Sequence, residues 1–235
     1  MMLILLWIAA TLAATTLALA FGRKYGASFL VAVYAALIVM ANIFAGKIVM
    51  FGPWTVPAGV IVYGVSFLLT DALNEFFGYR FAKEAILGGF TASLLLVIGV
   101  QIVIAWEPAG FWQHQEALET ILGSTWRIAV GSLVAFLVSQ NWDIYVFQWL
   151  KQRTGSGSLW LRNIGSTATS QTIDTLLFCT IAFAGSMPWP AVWGIIIGQL
   201  MVKLTIALVD TPFLYIMRAF YRTDEVTPNT EADNA

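Results

Sequence analysis

The chain has 235 residues, 59% of them hydrophobic and 11% charged, with a formal net charge of −1, whereas soluble domains carry about 25% charged residues. That balance excludes a conventional soluble core, and no basic block or basic-aromatic pattern marks a nucleic-acid surface. Apolar runs of membrane-spanning length recur with scarcely a charge inside them, so the composition predicts one all-α polytopic membrane domain.

Seven transmembrane helices are predicted, at roughly 1–21, 28–50, 57–77, 84–106, 127–150, 165–186 and 190–217. Arg23 and Lys24 follow the first, Arg80 and Lys83 the third, Lys151, Arg153 and Arg162 the fifth, and Arg218 and Arg222 the seventh. The other connections are poor in Lys and Arg. The positive-inside rule therefore places the N-terminus outside and the C-terminus in the cytoplasm. The chain divides into an extra N-terminal anchor with its basic loop (1–27), a six-helix core (28–220) and a polar, acidic tail expected to be disordered (221–235).

The first segment ends near Ala18-Leu19-Ala20, which has the form of a signal-peptidase site. It lacks a basic leader, its apolar run is too long, and Arg23 and Lys24 follow it, so an uncleaved anchor peripheral to the bundle is expected. The second span carries Asn42 and Lys47. Lys47 lies near the outer end, where snorkelling to water competes with a site role. The outer connection FGPWTVPAG stops one helix and starts the next, and could form a tight cap over a pocket.

The third span ends in Thr70, Asp71, Asn74 and Glu75, with Asp71 and Glu75 one turn apart on one face. Glu75 is close enough to Arg80 to be an interfacial ion-pair partner, whereas Asp71 is about one turn deeper, where a cavity role competes with a structural one. The long connection 107–126 contains HQEALETIL, whose apolar spacing predicts a short surface helix or lid. His114 is the sole histidine, which excludes a multi-histidine metal site, and Cys179 is the sole cysteine, so no intrachain disulfide forms. No metal, cofactor or catalytic residue is expected.

Arg127 opens the fifth span at the outer face, against the positive-inside trend, so a carboxylate partner or a ligand contact is expected. That span ends in SQNWDIYVF, and the sixth contains SQTIDTLLF. Ser139, Gln140, Asp143 and Phe147 fall within an arc of about 100° on a helix, as do Ser170, Gln171, Asp174 and Phe178. The two helices run antiparallel, which brings Asp143 and Asp174 to a similar, central depth, the way inverted repeats build a midplane site. The competing interpretation is helix-helix bonding, at about 0.6 kcal/mol per bond. An aspartate at the helix centre costs about 2.5–3.5 kcal/mol on insertion scales, so a binding site accounts better for ionisable groups there. The seventh span carries Gln199, Lys203, Asp210 and Pro212. Lys203, near its midpoint, should pair with Asp174, Asp143 or Asp210, and Pro212 can kink the helix.

Together these motifs resemble the queuosine precursor transporter family, also called the vitamin uptake transporter family. The resemblance rests on PAGVIVYGVSFLLTDALNEFFG, with Gly59, Tyr63, Phe67, Thr70, Asp71, Glu75 and Gly78 at the family's spacing, on Arg127 and SQNWDIYVF, and on WLRN at 160–163. It continues through Ser166, SQTIDTLLF, Lys203 and Pro212, so that it covers about 28–217. It implies six core helices like those of substrate-binding subunits of energy-coupling-factor vitamin importers, and the first span is a departure. It also implies a bacterial inner-membrane protein, with 7-cyano- or 7-aminomethyl-7-deazaguanine, or queuine, as substrate.

Such a base presents N1–H beside an exocyclic amine, a donor pair that one carboxylate, Asp143 or Asp174, can accept. Gln140, Gln171 and Asn42 could donate to the carbonyl. Phe147, Phe178, Tyr63 or Trp142 could stack on the ring, at about 1–3 kcal/mol.

The resemblance thus implies import through a midplane site whose aspartates pair with Lys203 and Arg127 when empty. With no Gly-x-x-x-x-Gly-Lys-Ser/Thr loop, energy must come from a gradient, from metabolic trapping or from a separate ATPase. The alternatives are a substrate-binding subunit working with ATPase and scaffold partners, a noncatalytic scaffold, and an intramembrane enzyme. The last is disfavoured by one His, one Cys and no nucleophile elbow. A homo-oligomer is left open.

Overall fold

The structure, a computed structural model, describes residues 2–154 and 159–222. Within those helices the side chains of Phe67, Asp71, Asn74, Glu75, Gln140, Asp143, Phe147 and Asp210 lie outside the described residues, as does the tail beyond 222.

In chain order the elements are α1 (Met2–Tyr25), α2 (Ala27–Phe44), β1 (Ile48–Phe51), β2 (Trp54–Pro57), α3 (Val60–Phe77), α4 (Tyr79–Ala105), α5 (Gln115–Leu122), α6 (Thr125–Thr154), α7 (Leu159–Phe183) and α8 (Trp189–Arg222). By length and composition alone, three stretches are apolar enough to cross a membrane: Ala27–Phe44, Tyr79–Ala105 and Gln115–Ser139. α4 exposes Leu87, Leu94, Leu95, Ile98 and Ile102, a stripe suited to hydrocarbon. Exposed Trp106, Trp112, Trp126 and Trp189 gather at the ends of helices, where indole rings favour the membrane interface.

One departure from an all-α fold lies between α2 and α3. The apolar run expected to remain helical to residue 50 leaves the helix at Phe44 and forms an antiparallel hairpin, with Ile48 opposite Pro57 and Phe51 opposite Trp54. An apolar run is ambiguous between helix and strand, and Ile48, Val49, Phe51, Trp54, Thr55 and Val56 are the β-branched and aromatic types that fit a pleated surface. The turn is Gly52-Pro53, with Gly52 at φ 60°. Proline at the second central position forbids positive φ there, which leaves the type II′ turn with glycine first.

The hairpin is anchored rather than loose. Val56 is fully buried in a cluster with Val60, Ile61 and Val202, which ties β2 and the start of α3 to α8. At Gly198 the α8 backbone approaches β2 so closely that a Cβ would collide with the Thr55 carbonyl. Only glycine fits that crossing.

The first helix is integrated through its C-terminal half. Ala18 and Leu19 are buried with Leu30 and Tyr34 of α2, Leu69, Ala72 and Leu73 of α3, and Ala82 and Ala85 of α4. A second cluster joins Ile128 and Ala135 of α6, Phe178, Cys179 and Ala182 of α7, and Val192, Ile195 and Ile196 of α8. α6 and α7 form the most extensively packed pair. The predicted surface helix is α5, which buries none of its residues.

Candidate functional site

The antiparallel register of α6 on α7 follows from two contacts. Arg127 near the start of α6 reaches Ile181 and Ala184 at the end of α7, and Ser139 further along reaches Asp174. The serine of one motif therefore touches the aspartate of the other. The same register sets backbone position 143 level with position 170.

Asp174 is the charged centre of the described residues. It is 5% exposed, its Oδ2 accepts from Lys203 Nζ at 2.6 Å, and its Oδ1 accepts from Ser139 Oγ at 3.4 Å. Of the three carboxylates open to Lys203 from the sequence, the pair observed is thus with Asp174, in helices α7 and α8. Lys203 Nζ also lies 5.8 Å from the centre of the Tyr63 ring, so an aromatic face from α3 borders the same cation. The 2.6 Å bond is charge-assisted and strong, whereas the serine bond at 3.4 Å is long and weak.

Next to this pair is a partly open pocket. Asp174, Asn42, Tyr63, Ser132, Phe178 and Gln199 supply its polar and aromatic lining, and Ala45, Pro57 and Gly59 line it from the hairpin end. The cavity therefore extends from the ion pair toward the hairpin. A second, mainly apolar pocket shares Ile38, Tyr63 and Ser132 with it and continues along α4 past Phe90 and Leu94.

The amides are oriented by their own partners. Asn42 Nδ2 donates to Ser93 Oγ at 2.9 Å, and Ser93 donates in turn to the Gly89 carbonyl at 3.0 Å. One N–H of the Asn42 amide is thus engaged with α4, which leaves its second N–H and its oxygen for the cavity. Gln199 is 4% exposed, and its Oε1 accepts from Cys179 Sγ at 3.1 Å. Gln171, one turn before Asp174, has a buried Oε1 with no hydrogen-bond partner among the described residues, and it lines neither cavity.

Arg127 is held by backbone. Among the described residues its partners are no carboxylate but the Ile181 and Ala184 carbonyls, which Nη2 reaches at 3.1 and 2.5 Å. These belong to the C-terminal end of α7, where carbonyls have no intrahelical partner and the helix dipole is negative. A guanidinium satisfies both demands and clasps α6 to α7. Arg127→Met is accordingly expected to lower stability by about 2 kcal/mol, with partial recovery in Arg127→Lys. Melting of the purified variants checks this, and an unchanged melting temperature in Arg127→Met would remove the clasp.

Other sequence candidates separate by place. Ser170 is buried on α7, and Phe178 makes an edge contact with Phe183 at 5.8 Å while lining the cavity. Lys47 is exposed in the turn after α2 and lines neither cavity. Trp142 is 41% exposed against Tyr145 and lies outside both linings. The side chains of Asp143, Gln140, Phe147, Phe67, Asp71, Glu75 and Asp210 lie outside the described residues. Ser132 and Gln199 are lining residues that the motifs did not single out. Gln199 stands one turn before Lys203 on α8, an i, i+4 signal on one face, whereas a lone serine among apolar residues gives none.

The sequence profile of a family described as "Putative vitamin uptake transporter" matches residues 57–217. A Bacillus subtilis protein named "Probable queuosine precursor transporter" is 39% identical over 188 residues, 80% of this chain and 82% of that protein. An Escherichia coli protein named "Queuosine precursor transporter" is 31% identical over 125 residues, 53% of this chain and 54% of that protein. No solved structure matches the chain.

Proposed function

Because the chain belongs to the vitamin uptake transporter family, a multi-pass membrane family, we propose that it imports a queuosine precursor across a bacterial inner membrane. The cargo is a 7-deazaguanine base, the 7-cyano or 7-aminomethyl form or queuine, and the chain is a carrier rather than an enzyme. It crosses seven times, N-terminus outside and C-terminus inside, with α1 added to a six-helix core.

The observation that carries this reading is the Asp174–Lys203 pair, whose carboxylate shares one cavity wall with Tyr63, Phe178, Asn42 and Gln199. A planar base with adjacent N–H donors matches a buried carboxylate flanked by aromatic faces. In the proposed topology the hairpin is at the outer end, so the cavity lies on the outer side of the ion pair, where an imported ligand first arrives. The ligand's donor pair takes the place of Lys203 at Asp174. The exchange keeps the carboxylate hydrogen-bonded while α7 and α8 move apart, as alternating access requires, and leaves the Lys203 ammonium to the Tyr63 ring face beside it. The antiparallel placement of the two Ser-Gln-x-x-Asp motifs on α6 and α7 supports a midplane position, with Asp143 proposed as the second carboxylate for an ammonium-bearing form.

The test is thermal stabilisation of detergent-purified protein by guanine, 7-cyano-7-deazaguanine, 7-aminomethyl-7-deazaguanine and queuine. One deazaguanine at 100 times its Kd should stabilise the protein by about 2.7 kcal/mol, and saturably. Absence of a shift with all four would overturn the substrate class. Purification with bound ATPase and scaffold subunits would instead make the chain the substrate-binding part of an energy-coupling-factor importer.

A further inference from the structure

We propose that Gln199 is the residue that selects a carbonyl acceptor on the ligand, and that Cys179 sets which end of its amide faces the cavity. The inference rests on the reading of the cavity as a heterocycle site. It adds a residue outside the two Ser-Gln-x-x-Asp motifs and gives the lone buried cysteine a role beyond packing.

Gln199 lines the cavity yet is only 4% exposed, so its amide is held between the helix wall and the open space. Its Oε1 is turned to α7, where Cys179 Sγ donates to it at 3.1 Å. Cys179 is itself fully buried, between Phe178 and Ala182 in the α7–α8 cluster. A thiol both donates and accepts weakly, and in this dry interior its donation to Oε1 is the arrangement observed, which turns the amide nitrogen away from α7. With oxygen engaged, Nε2 is the atom left for the cavity. Among the described residues nothing else takes a hydrogen bond from it.

The position matters as much as the polarity. Gln199 precedes Lys203 by four residues on α8, and Cys179 follows Asp174 by five on α7, so the amide rung stands one turn from the ion pair on the hairpin side. One turn is about 5.4 Å, a span that a fused bicyclic heterocycle bridges. A ligand whose N–H groups engage Asp174 thus places its adjoining ring carbonyl toward the Gln199 nitrogen. Asp174 reads donors and Gln199 reads an acceptor, which together define a lactam edge rather than a generic flat ring.

The test compares affinities for 7-cyano-7-deazaguanine and for its thiocarbonyl analogue, which keeps the ring N–H and the amine but replaces the carbonyl oxygen by the poorer acceptor sulfur. Wild type should favour the oxygen form by about fivefold to tenfold. Gln199→Leu should bring that ratio close to one, Cys179→Val should lower it part of the way, and Cys179→Ser, which keeps a donor, should retain it. A purely structural role for either residue would weaken both ligands together and leave the ratio alone. If Gln199→Leu does not fold, Gln199→Asn supplies the same reading, because the shortened amide no longer reaches and the ratio should again fall. A wild-type ratio that persists in the Gln199 variants overturns this inference while leaving the transporter reading in place. Failure of wild type to bind either ligand overturns the substrate reading and this inference with it.

Discussion

Asp174→Asn is expected to reduce uptake of 7-cyano-7-deazaguanine at least a hundredfold, measured per folded protein in membrane vesicles or proteoliposomes. The substitution preserves the shape of a side chain that is 5% exposed, so its effect isolates charge and hydrogen-bond polarity. A carboxylate accepts from both N–H groups of a guanine-like edge, whereas an asparagine offers one acceptor and sets an NH₂ against the second donor. Hydrogen bonds to charged groups contribute about 1.5–3 kcal/mol each, so loss of one and reversal of the other exceeds about 3 kcal/mol, or more than a hundredfold. Phe178 and Tyr63 can hold the ring but cannot replace this term, because stacking contributes at most about 3 kcal/mol and does not distinguish donors from acceptors. Uptake by Asp174→Asn at the wild-type rate would remove Asp174 from the site.

The sequence disclosed the helices well and the chemistry partly, for physical reasons that differ by residue. Long apolar runs bounded by charges and glycines determine where α3, α4, α6, α7 and α8 lie, and HQEALETIL contains α5. The hairpin was hidden because Ile48–Phe51 continues an apolar run, and hydrophobicity alone does not separate a buried strand from the end of a helix. Lys203 was visibly too deep to be unpaired, yet its partner depended on the α7–α8 packing, which no spacing within one helix specifies. The Arg127 contacts are tertiary in the same way. A cation at an outer face suggests a carboxylate or a ligand, but among the described residues its partners are the last carbonyls of α7, which no side-chain pattern records. Asn42 and Gln199 carry the same amide group, yet Asn42 is bonded through its nitrogen to Ser93 and Gln199 through its oxygen to Cys179. Polarity of that kind is a tertiary property.

The second large effect concerns Lys203. Lys203→Met and Asp174→Asn should each lower the melting temperature of the empty protein, while the double variant should lie nearer wild type than either. With 9% and 7% of their side chains exposed, the two groups are desolvated, and removing one partner leaves the other without compensation, a loss of about 3–5 kcal/mol. Replacing both removes the desolvation cost along with the attraction, so a coupling energy of about 2 kcal/mol or more is expected from the cycle. Additive losses would show that the 2.6 Å contact is not an energetic pair. The transport result should run the other way. The double variant should remain inactive although it is the best folded of the three, because it lacks both the carboxylate that takes the ligand and the cation that takes its place. A pair that neutral side chains can replace without loss of fold, but not without loss of uptake, is retained for exchange rather than for stability. That distinction separates the carrier from a scaffold, in which recovery of folding would be recovery of function.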